Sequence, residues 1–206
     1  MAKAEQLVFI DFEFSMPERH RVPKGFFPEI IEAGVVVVEK GKVSNSFSSY
    51  VKPTAFPKLT NRCKRFLSIN QQEVDSGISF QCLIDYFSGL DARGIDKVVT
   101  WGNMDMKVLR DNCAQSGIPF PFQAQFVDLS MEYKRFFGDQ NQTGLWKAVQ
   151  EYGREGVGKH HKALDDALTT HHIYNLVEKD KKYLDKAEPT TIGERIDLSK
   201  FYNQLA

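Results

Sequence analysis

Two carboxylates near the start of the chain, Asp11 and Glu13, stand two residues apart in the apolar segment LVFIDFEF at 7–14. Such a segment is typical of a strand buried on both faces, and side chains two apart on a strand leave the same face. Like charges held side by side repel each other and raise one pKa, and a divalent cation between them relieves the repulsion. The alternative is a strand that emerges into solvent at Asp11, although Phe12 and Phe14 keep its other face apolar. The pair indicates either a metal site or a strand end.

Two later motifs carry further carboxylates. Asp105 follows a short apolar strand in TWGNMD, where it either complements a helix dipole or marks the strand end at which sites in such sheets lie. In HHKALDDA, a helix that begins near residue 163 would place His161 just before it and Asp166 in its first turn. Asp165 and Asp166 leave the helix about 100° apart, so only one of them points inward. Taken singly, Asp105 is better explained as a partner of the helix dipole, and Asp165 and Asp166 are better explained as dipole partners beside surface histidines.

Together these motifs supply hard oxygen donors and one titratable ring: Asp11, Glu13, Asp105, Asp166 and His161. Carboxylates in this number favour Mg²⁺ or Mn²⁺ over zinc. Two such ions about 4 Å apart are a common arrangement for in-line displacement at a phosphodiester, and a histidine of near-neutral pKa suits a general base. The set therefore predicts two divalent cations in one site, with the histidine accepting a proton from water.

The segments that must position these residues alternate between strand and helix patterns. Three apolar or alternating stretches with short links predict an antiparallel meander, and helices with short strands follow. We predict strands at 7–14, 30–38, 43–51, 97–101 and 126–129, and helices at 79–90, 104–115, 129–137, 144–152 and 163–177. This order predicts an α/β fold with a central mixed sheet of about five strands flanked by helices.

Composition narrows the function classes. The 206 residues suit one domain, the apolar fraction of 42% is that of a globular protein, and 27 basic residues balance 27 acidic ones. A neutral chain is not coated in positive charge for bulk nucleic-acid binding, although a local basic patch is compatible with it. The three cysteines match no zinc or disulfide pattern, and no segment reaches the length of a signal-peptide core or a membrane span. We therefore expect a soluble cytoplasmic protein.

The motifs IDFEF, TWGNMD and HHKALDDA resemble the three exonuclease motifs of the DEDDh family, which has an RNase H-like fold. The stretches EIIEAGVVVV, FSSYVKP and FLSINQQEVD are similar to its ERI-1-type branch, whose members trim 3′ ends of RNA. The resemblance covers roughly residues 7–177. Its A-L-x-D-A register selects Asp166 over Asp165, and therefore His161 as the base. The metal ligands that it implies, for two ions of Mg²⁺ or Mn²⁺, are Asp11, Glu13, Asp105 and Asp166.

This resemblance implies a 3′–5′ exonuclease that hydrolyses phosphodiester bonds at single-stranded 3′ ends, RNA more than DNA, by a two-metal mechanism. We expect its domain to span 1–182, with an extension at 183–206 docked on the domain. The residues predicted to contact the terminal base are Phe14, Met16 and Ile69. The residues predicted to hold phosphates further back are Arg62, Lys64 and Arg65.

A second basic stretch, with Arg19, Arg21 and Lys24, follows the first strand. Both basic stretches are explained equally well as solvated surface when each is taken alone. Two local basic stretches in a chain of neutral overall charge favour a small footprint on nucleic-acid phosphates.

A second function class stays open. Within its branch the chain most resembles a bacterial sporulation inhibitor, which implies a regulatory module that binds a protein partner in a kinase pathway and uses the exonuclease fold as a scaffold. A pure scaffold is free to lose a metal ligand, whereas this chain retains all five site positions. The sequence therefore favours the enzyme, with a single-stranded nucleic acid as its partner and no membrane association.

Overall fold

The computed structural model of the chain describes residues 5–186 and contains one five-stranded sheet. Its strands are β1 Gln6–Phe14, β2 Ile30–Glu39, β3 Lys42–Tyr50, β4 Lys97–Thr100 and β5 Gln125–Asp128. The spatial order is β3-β2-β1-β4-β5, in which the first three strands are antiparallel and β4 and β5 run parallel to β1. The predicted mixed sheet of about five strands is confirmed.

Seven helices occur in the described part of the chain. They are α1 Asn61–Leu67, α2 Gln71–Asp75, α3 Phe80–Asp91, α4 Met104–Ser116, α5 Leu129–Phe137, α6 Leu145–Glu151 and α7 Ala163–Lys186. Five of them match predicted segments, although α7 continues beyond its predicted end at residue 177. The two short helices α1 and α2 were not predicted. Each begins at a polar cap, since the side chain of Thr60 accepts from the N–H of Cys63 and the side chain of Asn70 accepts from the N–H of Glu73.

Different helices cover the two faces of β1, and this decides where its carboxylates point. The even-numbered apolar side chains of β1 belong to a core cluster that also contains residues of α3 and α4. Phe9 faces the other way, and its ring centroid lies 5.3 Å from that of Tyr174 in α7. Because side chains alternate along a strand, Asp11 and Glu13 share the α7 face with Phe9.

The chain divides into two compact units, Met1–Tyr174 and Asn175–Ala206, and the division falls inside α7. The predicted extension at 183–206 lies, beyond residue 186, outside the described residues, and its docking stays a prediction. Among the helices of residues 5–186, none is both long enough and apolar enough to cross a membrane.

Candidate active site

All five predicted site residues line one cavity of about 250 Å³. Asp11 and Glu13 come from the last part of β1, and Asp105 comes from the first turn of α4. His161 and Asp166 come from the loop before α7 and from its first turn. Because β4 runs parallel to β1, the chain leaves β4 at the same edge of the sheet and starts α4 there. The topology thus brings residues that are distant in sequence to one edge.

Three carboxylates lie close enough together to share a cation. One oxygen from each of Asp11, Glu13 and Asp166 lies within 4.8 Å of the other two. Glu13 is 8% exposed and Asp166 is 5% exposed, so these charges are held away from bulk water. The same-face pair expected from the sequence of β1 is therefore completed by a carboxylate from α7.

Asp105 lies on the wall of the same cavity, beside this cluster of three. It is 5% exposed, and its Oδ1 accepts a hydrogen bond of 2.9 Å from the backbone N–H of Phe12. Phe12 stands between Asp11 and Glu13 in β1. The bond therefore fixes the first turn of α4 against the strand that carries the other two carboxylates.

Asp166, and not its neighbour Asp165, is the acid of α7 that faces the cavity. The side chain of Asp166 accepts hydrogen bonds from the backbone N–H of His161 and from the indole Nε1–H of Trp146. Asp165 turns the other way, where its Oδ2 accepts a hydrogen bond of 2.8 Å from the backbone N–H of Lys159. Asp165 thus holds the loop that precedes the helix, and Asp166 holds the histidine beside the site.

His161 has a backbone conformation that L residues rarely adopt, with φ at 62°. This left-handed turn directs its ring toward the carboxylates, and Nδ1 lies 3.7 Å from Oε1 of Glu13. The ring contacts two others, with centroids 3.8 Å from His160 and 4.4 Å from Phe66. A strained backbone whose side chain is held by packing is typical of a functional position.

The electrostatics of the cavity favour a bound cation. Burial raises the pKa of Glu13 to about 8 and that of Asp105 to about 7, and neighbouring carboxylates contribute to both shifts. Burial also raises the pKa of Asp11 and that of Asp166, and for Asp11 the nearby anions raise it further. A divalent cation would favour the ionised form of all four groups, and an all-oxygen donor set suits Mg²⁺ or Mn²⁺. The residues present therefore fit a divalent-metal site.

The histidine has the opposite shift. Burial lowers the pKa of His161, and the neighbouring His160 lowers it further. The imidazole of His161 is consequently neutral at neutral pH and is able to accept a proton. The cavity thus combines a cation-binding cluster with a proton acceptor.

Of the three residues predicted to contact the terminal base, one lines the catalytic cavity and two do not. Phe14 lines the cavity, as a base contact should. Ile69 is only 5% exposed and belongs to a small apolar cluster, against which Met16 packs, and neither of the two lines the cavity. The reason is the end of α1, where Ser68 adopts φ of 52° and turns the chain so that Ile69 packs back on Leu67. Ile69 and Met16 therefore lie outside the cavity lining, and their contact with the base stays a prediction.

The predicted phosphate contacts lie on α1. Arg62 and Arg65 line a second cavity together with Arg19 and Arg21, whereas Lys64 is not among its lining residues. The two basic stretches that are separate in the sequence therefore meet in the structure.

Four residues of the site were not singled out from the sequence. Phe66 contacts His161 although its side chain is 53% exposed, and Trp146 both lines the cavity and holds Asp166. Glu32 pairs with Glu13 across β1 and β2, and Lys162 lies with Nζ 3.4 Å from Oε2 of Glu32. The second glutamate in EIIEAG was a usable signal, because a carboxylate inside an otherwise apolar strand needs a partner.

Comparison with known proteins agrees with this geometry. Residues 8–174 match the family model described as Exonuclease (RNase_T). The chain is 57% identical over 194 residues to "Probable 3'-5' exonuclease KapD" of Bacillus subtilis (strain 168), covering 94% of this chain and 95% of that one. It is 31% identical over 191 residues to "ERI1 exoribonuclease 2" of Xenopus laevis, covering 81% of this chain and 27% of that longer protein.

A solved structure is similar as well. The nuclease domain of 3′hExo, a DEDDh family member bound to rAMP, superimposes with a TM-score of 0.75 at 27% identity. The match covers 87% of this chain and 94% of that domain. The resemblance that the three motifs indicate is therefore confirmed over most of the chain. The chain belongs to the exonuclease family and is a 3′–5′ exonuclease of the DEDDh type.

Proposed function

We propose that this exonuclease removes nucleotides from single-stranded 3′ ends, prefers RNA to DNA, and uses two divalent cations with His161 as the general base. The observation that carries the proposal is the single cavity in which four carboxylates meet this histidine. The preference for RNA is supported by the relatives, since one is named an exoribonuclease and the similar nuclease domain holds rAMP.

The carboxylates would hold the cations. Asp11, Glu13 and Asp166 offer oxygens within 4.8 Å of one another, and Asp105 stands on the adjoining wall. Bound Mg²⁺ or Mn²⁺ would supply Lewis-acid activation of the attacking water and charge stabilisation at the leaving oxygen. The protein's part is to hold these four acids in place, to which the backbone N–H bonds to Asp105 and Asp166 contribute, and the bound cations would keep the acids ionised.

The histidine would take the proton of the attacking water. Its lowered pKa keeps the imidazole free to accept a proton at neutral pH. The backbone N–H of His161 donates to Asp166, so the base is tied to one of the proposed cation ligands by a bond of 3.0 Å. The rings of His160 and Phe66, which both contact the imidazole, restrict its rotation.

The test uses RNA and DNA oligomers of one sequence, labelled at either end. With Mg²⁺ or Mn²⁺, the 5′-labelled RNA should give a ladder of shortened strands, and the 3′-labelled RNA should give labelled mononucleotide from the first time point. Chelation with EDTA should stop the reaction, and DNA should be degraded more slowly. Equal rates on RNA and on DNA would contradict only the preference for RNA. Activity in EDTA would contradict the metal site.

A further inference from the structure

Four arginines from two distant parts of the chain line one open cavity of about 320 Å³. Arg19 and Arg21 belong to the loop after β1, and Arg62 and Arg65 belong to α1. His20 and Glu18 complete the lining, so one carboxylate faces four guanidinium groups. We refer to these six residues as the arginine pocket.

The single carboxylate of the arginine pocket is engaged by the backbone. Oε1 of Glu18 accepts a hydrogen bond of 3.2 Å from the N–H of Arg62, in the first turn of α1. The Glu18 carbonyl accepts from the N–H of Arg21, which closes a turn within the loop. Arg62 also donates from Nη1 to the carbonyl of Pro17. The loop and the helix are therefore joined by polar contacts that do not neutralise the guanidinium groups.

Positive charge in the arginine pocket is left uncompensated by ion pairs. Within residues 5–186, none of the four arginines has a carboxylate oxygen within 4.0 Å of its guanidinium nitrogens. Arg19, Arg21 and Arg65 are exposed, and Arg62 is half-buried. Guanidinium groups present planar forks of N–H donors that match phosphate oxygens in pairs. The pocket thus has the charge and the donors of a phosphate site.

The arginine pocket is linked to the catalytic cavity through α1, which contributes Arg62 and Arg65 to the pocket and contacts His161 of the cavity through Phe66. Phe66 follows Arg65 in α1, and its ring contacts the ring of His161. Arg62 stands one helical turn, about 6 Å along the axis, from Phe66. The same helix is fixed to the chain just after the catalytic strand, since Thr60 Oγ1 donates to the carbonyl of Met16 at 2.8 Å. A strand whose 3′ end occupies the cavity would need to extend only a short way to reach the arginines.

We propose that the arginine pocket binds a backbone phosphate of the nucleic-acid strand, a few nucleotides on the 5′ side of the bond that is cleaved. The inference rests on the proposed function, because it takes the strand's 3′ end to lie in the catalytic cavity. The exposed ring of Phe66, in the same helix as Arg62 and Arg65, then lies beside the bases of the intervening nucleotides.

The test measures KM for single-stranded oligomers of 2 to 12 nucleotides. For the wild type, KM should fall once the strand is long enough to place a phosphate in the arginine pocket. The double variant Arg19→Gln with Arg21→Gln should show no such fall, so that KM for the 12-mer rises about tenfold, as removal of one charge-assisted hydrogen bond implies. Its kcat and its KM for the dinucleotide should not change. The salt dependence of binding should become shallower by about 0.7 in slope for each phosphate that the variant no longer neutralises.

The matched control is Lys40→Gln with Lys42→Gln, which removes the same charge from the exposed turn between β2 and β3 at the opposite end of the sheet. This control should behave like the wild type at every length. Equal KM values for the arginine variant and the wild type on the 12-mer, at all salt concentrations, would overturn the proposal. Arg65→Gln serves as a second variant, and the unfolding temperatures of all variants show whether each is folded.

The experiment distinguishes a lack of nuclease activity from a lack of nucleic-acid binding by the arginine pocket. If no oligomer is degraded by the wild type, anisotropy of a fluorescent 12-mer measures binding directly. Weaker binding by the arginine variant than by the lysine control would then support the pocket without the reaction. Equal binding by both, or no binding by the wild type, would reject the pocket.

Discussion

Gly34 of β2 lies against the backbone of Ala163, the first residue of α7. A Cβ atom added to Gly34 would overlap the carbonyl carbon of Ala163 and the backbone nitrogen of Leu164. Gly34 also pairs with Asp11 across the antiparallel ladder. The missing side chain therefore lets the helix that carries Asp166 start directly beside the strand that carries Asp11.

We expect Gly34→Ala to displace the start of α7 and to disturb the site. The clash involves backbone atoms, which cannot move without shifting His161 and Asp166, so we expect destabilisation of about 1–3 kcal/mol together with a large reduction of kcat. Gly89→Ala is the control, because Gly89 lies in α3 with no atom within 4 Å of an added Cβ. That change should raise the free energy of unfolding by about 0.5–1 kcal/mol and leave kcat unaltered. Unfolding by urea and single-turnover kinetics measure the two effects.

The strands and the catalytic motifs were predictable because each has a strong local signal. Asp11 and Glu13 stand two residues apart in a buried strand, so their side chains leave the same face of the sheet. Asp105 follows a strand that runs parallel to it, so the strand order brings all three carboxylates to one edge of the sheet. Phe66 had no such signal, since α1 is too short for a helical period to stand out. Its place beside His161 depends on the turn at Ser68 and on tertiary packing.

The arginine pocket was predictable only in part, for a related reason. Each basic stretch was visible as a run of cations without acids, and each alone resembled solvated surface. Their meeting depends on Glu18, whose side chain joins the loop after β1 to α1. Hydrogen bonds of this kind between a loop and a short helix leave no periodic trace in a sequence.

Asp11→Asn should abolish turnover and weaken Mn²⁺ binding while the protein stays folded. The substitution removes one of several buried like charges, so the unfolding temperature in EDTA should hold or rise. Asp165→Asn is the matched control, because an asparagine keeps the oxygen that accepts from Lys159. It should retain most of the activity, and Asp166→Asn should not. Calorimetric titration with Mn²⁺ and melting in EDTA decide the matter; a large drop in metal-free stability in Asp11→Asn would contradict the assignment.

His161→Ala should lower kcat by about 10²–10⁴-fold, the usual contribution of a positioned base. His160→Ala should change the maximal rate much less. Because His160 lowers the pKa of His161, its removal should shift the acid limb of the pH–rate profile to higher pH. Profiles of the wild type and the two variants between pH 5 and 9 test this. A reversed order of effects would make His160 the base.

Phe66→Ala and Ile69→Ala compare an exposed ring beside His161 with the buried residue that the sequence predicts as a base contact. Phe66 is 53% exposed beside His161, so its truncation should reduce kcat/KM about tenfold or more, as stacking implies, with little change in stability. Ile69 is buried, so its truncation should cost about 2–5 kcal/mol of stability. Denaturant unfolding and kinetics on RNA measure both. Normal kinetics in Phe66→Ala would show that Phe66 does not contact the base and would leave Phe14 as the candidate.

The stability of the metal-free protein should fall as pH rises from about 4.5 to about 8. Burial raises the pKa of Glu13 from 4.5 to about 8 and that of Asp105 to about 7, so across this window the folded state keeps protons that the unfolded state has released. The free energy of unfolding then decreases with pH, because the unfolded state binds fewer protons. Mg²⁺ should reverse the trend, since it binds the ionised carboxylates of the folded state and stabilises it more at higher pH. Melting curves in EDTA and in Mg²⁺ between pH 4.5 and 8.5 test both slopes, and Glu13→Gln should flatten the slope in EDTA. A metal-free stability that stays level or rises through this window would contradict the raised pKa values of these acids.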